Sequence, residues 1–163
     1  MDDNLIKILL IEDNPGDVRL LKETLSEVSS STFDIAHAAR LSTGLKYLTK
    51  GGFDIVLLDL SLPDGEGLDT VIKVRNEKPE IPIVILTGFN DESVALQAVQ
   101  VGAQDYLVKG SIDRDLLVKA IRYALERNRL LTIIEEARQF ERHIAYHDSL
   151  TGLANRQLFY DRL

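Results

Sequence analysis

Asp59 stands at the end of the run Phe53-Asp54-Ile55-Val56-Leu57-Leu58, whose apolar residues read as a buried strand that delivers a carboxylate to its end. Three further apolar runs end the same way. Glu12-Asp13 follow Leu5 to Ile11, Thr87 follows Ile81 to Leu86, and Lys109 follows Tyr106-Leu107-Val108. If helices alternate between the runs, all of these groups fall at the carboxyl edge of a parallel sheet, where such sheets gather ligand groups. Carboxylates, a hydroxyl and an ammonium at one edge suit a divalent cation together with a phosphoryl group.

Each group has a physical task in that chemistry. A carboxylate such as Asp59 attacks phosphorus well only when the donor's negative charge is offset, which a hard cation held by oxygen ligands can do. Glu12 and Asp13 supply such ligands beside Asp59, and the backbone carbonyl of Ser61, two residues further on, is a candidate for another. Lys109 offers a compact charge for phosphoryl oxygens, and the Thr87 hydroxyl can donate a hydrogen bond to one of them.

The elements that must position these groups are marked in the first 128 residues, which alternate strand-length apolar runs with amphipathic segments of helix length. The pattern predicts strands near 5–11, 33–37, 54–59, 82–87 and 104–108. It predicts helices near 15–28, 40–49, 67–76, 91–101 and from 113 onward. Asn14-Pro15 reads as a cap followed by a first-turn proline, Gly51-Gly52 and Gly102 as helix ends, and Pro63-Asp64-Gly65 as a turn after Asp59. Asp34 and His37 interrupt the second strand, as they would at an edge of the sheet.

No Gly or Pro falls between Ser111 and Gly152, and Leu116, Ala120, Tyr123, Leu130, Ile134, Ala137 and Ile144 can be threaded at spacings of 3 and 4. A long helix is expected, with residues 129–147 as a linker able to pair with its twin in a coiled coil. Arg127 and Glu141 interrupt that seam, and Phe140 lies one position off it. His143 and His147 are four apart, but a metal site is not expected there without a third imidazole or a His-Glu-x-x-His pattern.

The 163 residues carry a formal charge of −7, with 14 Lys+Arg against 21 Asp+Glu in residues 1–128 and a balanced remainder. That gives no electrostatic footprint for nucleic acid. Without cysteine there are no disulfides or thiolate ligands. No run approaches the roughly 20 apolar residues of a membrane span, and Met1-Asp2-Asp3-Asn4 is acidic where a secretory signal is basic, so a cytoplasmic location is expected.

In order and at strand ends, Ile11-Glu12-Asp13-Asn14, Leu58-Asp59-Leu60-Ser61-Leu62-Pro63-Asp64-Gly65, Leu86-Thr87-Gly88 and Asp105-Tyr106-Leu107-Val108-Lys109 resemble the receiver domain of bacterial two-component response regulators. The resemblance covers residues 1–128. It implies a flavodoxin-like α/β fold, a doubly wound five-stranded parallel sheet, here with an extended C-terminal helix. It further implies phosphorylation of Asp59 by a cognate sensor histidine kinase or phosphotransfer protein, with Mg2+ (or Mn2+) held by Glu12, Asp13, Asp59 and the Ser61 carbonyl. Thr87 and Tyr106 are then the switch: the hydroxyl is drawn to the phosphoryl group, the aromatic turns inward, and the face of the fourth helix, fifth strand and fifth helix changes shape. The family usually has proline after the lysine, often with a cis bond. Gly110 stands there in this chain, so a trans bond and a more pliable loop are expected.

Asp148-Ser149-Leu150-Thr151-Gly152-Leu153-Ala154-Asn155-Arg156, followed by Leu158-Phe159, resembles the opening of GGDEF domains, the diguanylate cyclases, so residues 148–163 read as the truncated start of one. The resemblance implies a parent protein whose cyclic di-GMP output depends on a homodimer formed through the receiver face and linker helix. The fragment itself is expected to catalyse only its own phosphoryl gain and loss. Two other readings use the same residues: a phosphatase or phosphotransferase with Asp59 as nucleophile, and an interaction module controlled by protein binding without phosphate.

Overall fold

The computed structural model describes residues 5–146, and the chain divides into two compact units, Met1–Glu126 and Arg127–Leu163. His147 and the string from Asp148 to Leu163 lie outside the described residues. The strands are β1 (Leu5–Ile11), β2 (Thr32–Ala38), β3 (Ile55–Asp59), β4 (Ser61–Leu62), β5 (Gly65–Glu66), β6 (Ile83–Thr87) and β7 (Asp105–Val108). The helices are α1 (Pro15–Ser26), α2 (Leu41–Lys50), α3 (Leu68–Glu77), α4 (Glu92–Gln100) and α5 (Arg114–Tyr146).

Five strands form one parallel sheet in the order β2-β1-β3-β6-β7. The fold is therefore the expected flavodoxin-like, doubly wound five-stranded parallel sheet, with a long C-terminal helix. The chain reverses direction across the sheet between β1 and β3, and such a switch point opens a crevice at the carboxyl edge. β2 is an edge strand paired only with β1, which explains its half-buried pattern: Phe33, Ile35 and Ala36 are partly covered, and Ala38 is the buried residue.

The central strands are apolar on both faces because both faces are covered. Leu9, Ile11, Val56, Leu58, Ile83 and Ile85 point to one side, where Leu41 and Leu48 of α2, Val71 and Val74 of α3, and Ala95 and Ala98 of α4 meet them. Ile8, Leu10, Ile55, Leu57, Val84 and Leu86 point to the other, against Val18, Leu21 and Leu25 of α1 and Leu117, Ile121 and Ala124 of α5. Among the described residues no helix is long and apolar enough to cross a membrane.

Two features depart from the sequence expectations. The segment after Asp59 forms more than a turn: β4 and β5 pair antiparallel around Pro63-Asp64, with Ser61 opposite Glu66 and Leu62 opposite Gly65. The Asp64 carboxylate then accepts from the N–H groups of Leu41 (2.8 Å) and Ser42 (2.9 Å), supplying the cap that Arg40 does not provide to α2. Those two backbone bonds, Ser42 first, hold the Asp64 carboxyl below its usual pKa. The threaded stripe on α5 is also not one face, because Ala120 is buried in the sheet-facing core while Leu116 and Tyr123 are exposed. The early turns of α5 turn Leu117, Ala120, Ile121 and Ala124 to the sheet, a stripe displaced by about a residue from the threaded one. In the second unit Leu130, Ile133, Ile134, Ala137, Phe140 and Ile144 are all exposed.

Gly44 in α2 faces β1 so closely that a Cβ there would meet Ile11, with Cγ1 at 2.8 Å and Cδ1 nearer still. In an open helix Gly→Ala stabilises by about 1 kcal/mol. Here Gly44→Ala should instead destabilise by about 1–3 kcal/mol through overpacking, read from urea unfolding. Adding Ile11→Val, which removes Cδ1, should recover part of the loss; a stabilised Gly44→Ala would show that α2 has room to shift.

Candidate functional site

The sheet register brings the proposed site residues to one edge. Ile11 lies beside Leu58, Asp59 beside Leu86, and Thr87 beside Val108, so Glu12 and Lys109 emerge where β3 and β6 end. Glu12 donates its N–H to Ala38 O at 3.0 Å and Lys109 its own to Thr87 O at 2.8 Å, which fixes both exits from the sheet. Glu12, Asp59 and Thr87 are buried, whereas Asp13 is exposed.

The Lys109 ammonium sits among three carboxylates: Glu12 Oε2 at 2.7 Å, Asp59 Oδ2 at 3.1 Å and Asp17 Oδ2 at 3.2 Å. The other carboxylate oxygens are held by backbone. Glu12 Oε1 accepts from Asn14 N at 3.1 Å, and Asp59 Oδ1 accepts from Ser61 N at 3.1 Å. Glu12 Oε2 is buried and makes its ion contact with Lys109 without an aligned hydrogen bond. Glu12, Asp13 and Asp59 each present a carboxylate oxygen within 4.8 Å of the others. Hard oxygens at that spacing, one of them incompletely bonded, fit a cation of the Mg2+ class, and the exposed Asp13 gives it access to water.

Burial strips water from Glu12 and, with the Lys109 ion contact and the Asn14 bond opposing and the Asp59 charge adding, lifts its pKa from 4.5 to about 7. For Lys109 burial acts to lower the pKa, but the close Glu12 contact and the charges of Asp59 and Glu12 outweigh it and hold the ammonium above its usual range. The lysine therefore stays charged wherever the protein is folded near neutrality.

Thr87 is buried, and its hydroxyl is directed only at Gly88 O, at a long 3.4 Å, so it is weakly committed to its present partner. Tyr106 is half-buried, packs against the core beside α4 and donates its hydroxyl to Glu92 Oε1 at 2.9 Å. That bond raises the phenol's pKa. Gly110 follows a trans peptide bond at φ +88°, a conformation closed to proline, so glycine here sets a different course for the loop after Lys109.

Sequence reasoning missed Asp17 and Glu92, which look like ordinary surface acids. A signal for Asp17 was present. Asn14 caps α1, accepting from Gly16 N (2.9 Å) and Asp17 N (3.3 Å), so residue 17 had to lie in a first turn rising from the end of β1. His37, read only as an interruption of β2, places a ring nitrogen 2.7 Å from Glu12 O.

The raised Glu12 pKa has a defined effect on stability. Between 4.5 and about 7 the folded state binds a proton that the unfolded state has released, so this contribution is complete below 4.5 and is lost as pH rises through about 7. Lys109, also raised, stays protonated in both states through this window. In urea titrations with a chelator present, wild type should lose about 2 kcal/mol more than Glu12→Gln between pH 5.5 and pH 8. Parallel pH profiles would mean that Glu12 is ionised throughout.

Residues 8–122 match the family described as response regulator receiver domain. Over 120 residues the chain is 32% identical to response regulator protein PilR of Pseudomonas aeruginosa, covering 71% of this chain and 26% of that protein. The glycerol metabolism activator of Pseudomonas putida is 34% identical over 128 residues, 76% of this chain and 56% of its own length. The swarming motility regulation protein RssB of Serratia marcescens is 36% identical over 104 residues, or 64% and 46%. The match thus spans only 26% to 56% of these relatives. Among solved structures, the response regulator receiver domain protein of Clostridium thermocellum aligns with a TM-score of 0.69 at 29% identity, covering 77% of this chain and 98% of that one. The adenylate cyclase structure from Rhodopirellula baltica aligns at 0.70 and 27% identity, covering 82% and 96%. The matched segment runs from within β1 into α5 and contains the whole cluster around Lys109; the chain belongs to the response regulator receiver domain family.

Proposed function

We propose that this chain is a phosphoacceptor switch in which Asp59 receives a phosphoryl group from a histidine kinase or phosphotransfer protein. An Asp59 oxygen forms the P–O bond as the P–N bond of the donor phosphohistidine breaks, and the imidazole leaves with the electron pair. The observation that carries this reading is the Lys109 ammonium 3.1 Å from Asp59 Oδ2, a fixed charge where phosphoryl oxygens would arrive. Glu12, Asp13, Asp59 and the Ser61 carbonyl would hold Mg2+ or Mn2+, which when bound supplies the positive charge that lets two anions meet. Ser61 N orients Asp59 through Oδ1.

Phosphorylation replaces the Asp59 carboxylate by an acyl phosphate, whose phosphoryl oxygens together carry close to two negative charges. The Thr87 hydroxyl, held only by a long bond, is free to turn towards them, leaving space for Tyr106 to exchange its Glu92 bond for an inward position. The face of α4, β7 and α5 then changes shape, provided the phosphorylated group binds that state better. Residues 1–128 serve as the receiver and 129–147 as a linker helix that pairs with a second copy. Residues 148–163 begin a GGDEF domain, so the output is a diguanylate cyclase. That last step rests on the string from Asp148 to Arg156, and the pairing on the exposed apolar residues of the helix.

In Mg2+ with acetyl phosphate, the protein should gain one acid-labile phosphoryl group by intact-mass spectrometry, and Asp59→Asn should gain none. Unchanged uptake in that variant would place the acceptor elsewhere. Leu130→Glu with Ile134→Glu should shift light scattering towards monomer, since charges in a helix seam lose water without gaining partners, while uptake at Asp59 survives. A wild-type chain that stays monomeric with and without acetyl phosphate rules out the pairing.

A further inference from the structure

We infer that Asp17 is a positioning residue that competes with the phosphoryl group for Lys109 and so sets how readily Asp59 is phosphorylated; this rests on the phosphoacceptor reading above. An ammonium has three N–H donors, and Lys109 faces three carboxylate oxygens, at 2.7, 3.1 and 3.2 Å. A phosphoryl oxygen arriving beside Asp59 therefore meets an ammonium already surrounded by anions. One partner must yield when Asp59 is modified.

Exposure decides which. The Glu12 side chain is 0% exposed and that of Asp59 5%, whereas that of Asp17 is 33% exposed. Turning Asp17 into water costs little, while withdrawing Glu12 would leave a buried carboxylate unpaired. Among the described residues Asp17 is also the one ion partner of Lys109 outside the trio of Glu12, Asp13 and Asp59. It therefore competes for the lysine without contributing to the cation cluster.

The surroundings allow the movement. The Asp17 N–H is held by the Asn14 cap, so the backbone stays while the side chain turns. Asp17 and Lys109 line a small cavity of about 30 Å³ with Leu20, Leu21 and Gly110, room enough for a water to take the vacated place. A Cβ built on Gly110 meets nothing within 4 Å, so that side of the cavity remains open.

Asp17 then acts twice against phosphorylation. It holds a place beside the Lys109 ammonium that the incoming group needs, and its charge repels a dianionic donor at the mouth of the site. In the reaction with acetyl phosphate, an Asp59 oxygen bonds to phosphorus while the bond from phosphorus to acetate breaks and acetate leaves with the electron pair. Asp17→Asn keeps the shape and removes the charge; Asp17→Glu keeps the charge. The competing explanation is that Asp17, an acid in the first turn of α1, only favours the helix dipole.

The test follows phosphoryl occupancy of the full chain over time by intact-mass spectrometry, in Mg2+ and acetyl phosphate, beside thermal melts of each variant. Asp17→Asn should be labelled on the order of three- to tenfold faster than wild type at low salt, and the gap should narrow as salt screens the charge. Asp17→Glu should stay within about twofold of wild type. Asp17→Asn labelled at the wild-type rate or slower, while wild type is labelled normally, overturns the role; a lowered melting temperature with that result assigns Asp17 to the helix instead. A wild-type chain that takes up nothing sinks the phosphoacceptor reading itself and this role with it.

Discussion

The structure turns on one partly buried cation, Lys109, shared by carboxylates that arrive from different parts of the chain. Lys109 follows β7, Glu12 follows β1, Asp59 closes β3 and Asp17 stands in the first turn of α1. Charges taken from water are costly unless closely paired, and removing one partner leaves the others worse off. The cluster therefore depends on the strand ends keeping their register. That is the service of the core: strands covered on both faces, with α1 and α5 on one side and α2, α3 and α4 on the other.

The same geometry makes the site incomplete in a useful way. Glu12, Asp13, Asp17 and Asp59 outnumber the single ammonium, and burial, with the Asp59 charge adding, raises the Glu12 pKa to about 7. A divalent cation would relieve that imbalance, and a phosphoryl group would then restore part of it. The route outward runs through backbone already in place. Lys109 N is bonded to Thr87 O, Thr87 lies beside Val108 and Ile85 beside Tyr106, and Tyr106 reaches α4 through Glu92. A change at the sheet edge can reach the α4 surface across two adjacent strands, if the two states differ in how they hold the added charge.

Much of this was legible in the sequence, for identifiable reasons. Apolar runs ended by Glu12-Asp13, Asp59, Thr87 and Lys109 mark strands whose ends carry chemistry, and the order of the runs gave the sheet edge. Asp34 and His37 marked β2 as an edge strand because an edge tolerates polar residues. The pairing of β4 with β5 was not legible: two residues a strand are too short to show a period, and its anchor, Asp64, reads as a turn former until α2 is seen to borrow its carboxylate. Asp17 and Glu92 were missed because each acts through a partner far away in sequence. The threaded seam failed at Ala120, where a small residue fits an exposed stripe and a close-packed face equally well, and only packing against the sheet decides.

The most direct test of the account is two-dimensional NMR of the isotopically labelled chain as beryllofluoride, a phosphoryl mimic, is added in the presence of Mg2+. If the Lys109 cluster is a phosphoryl site coupled to the α4 surface, resonances of Thr87, Tyr106, Lys109 and Glu92 should shift together with one midpoint, while those of the distant start of β2, at Thr32 and Phe33, stay in place. Shifts confined to residues touching Asp59, with Tyr106 and Glu92 unmoved, would contradict it.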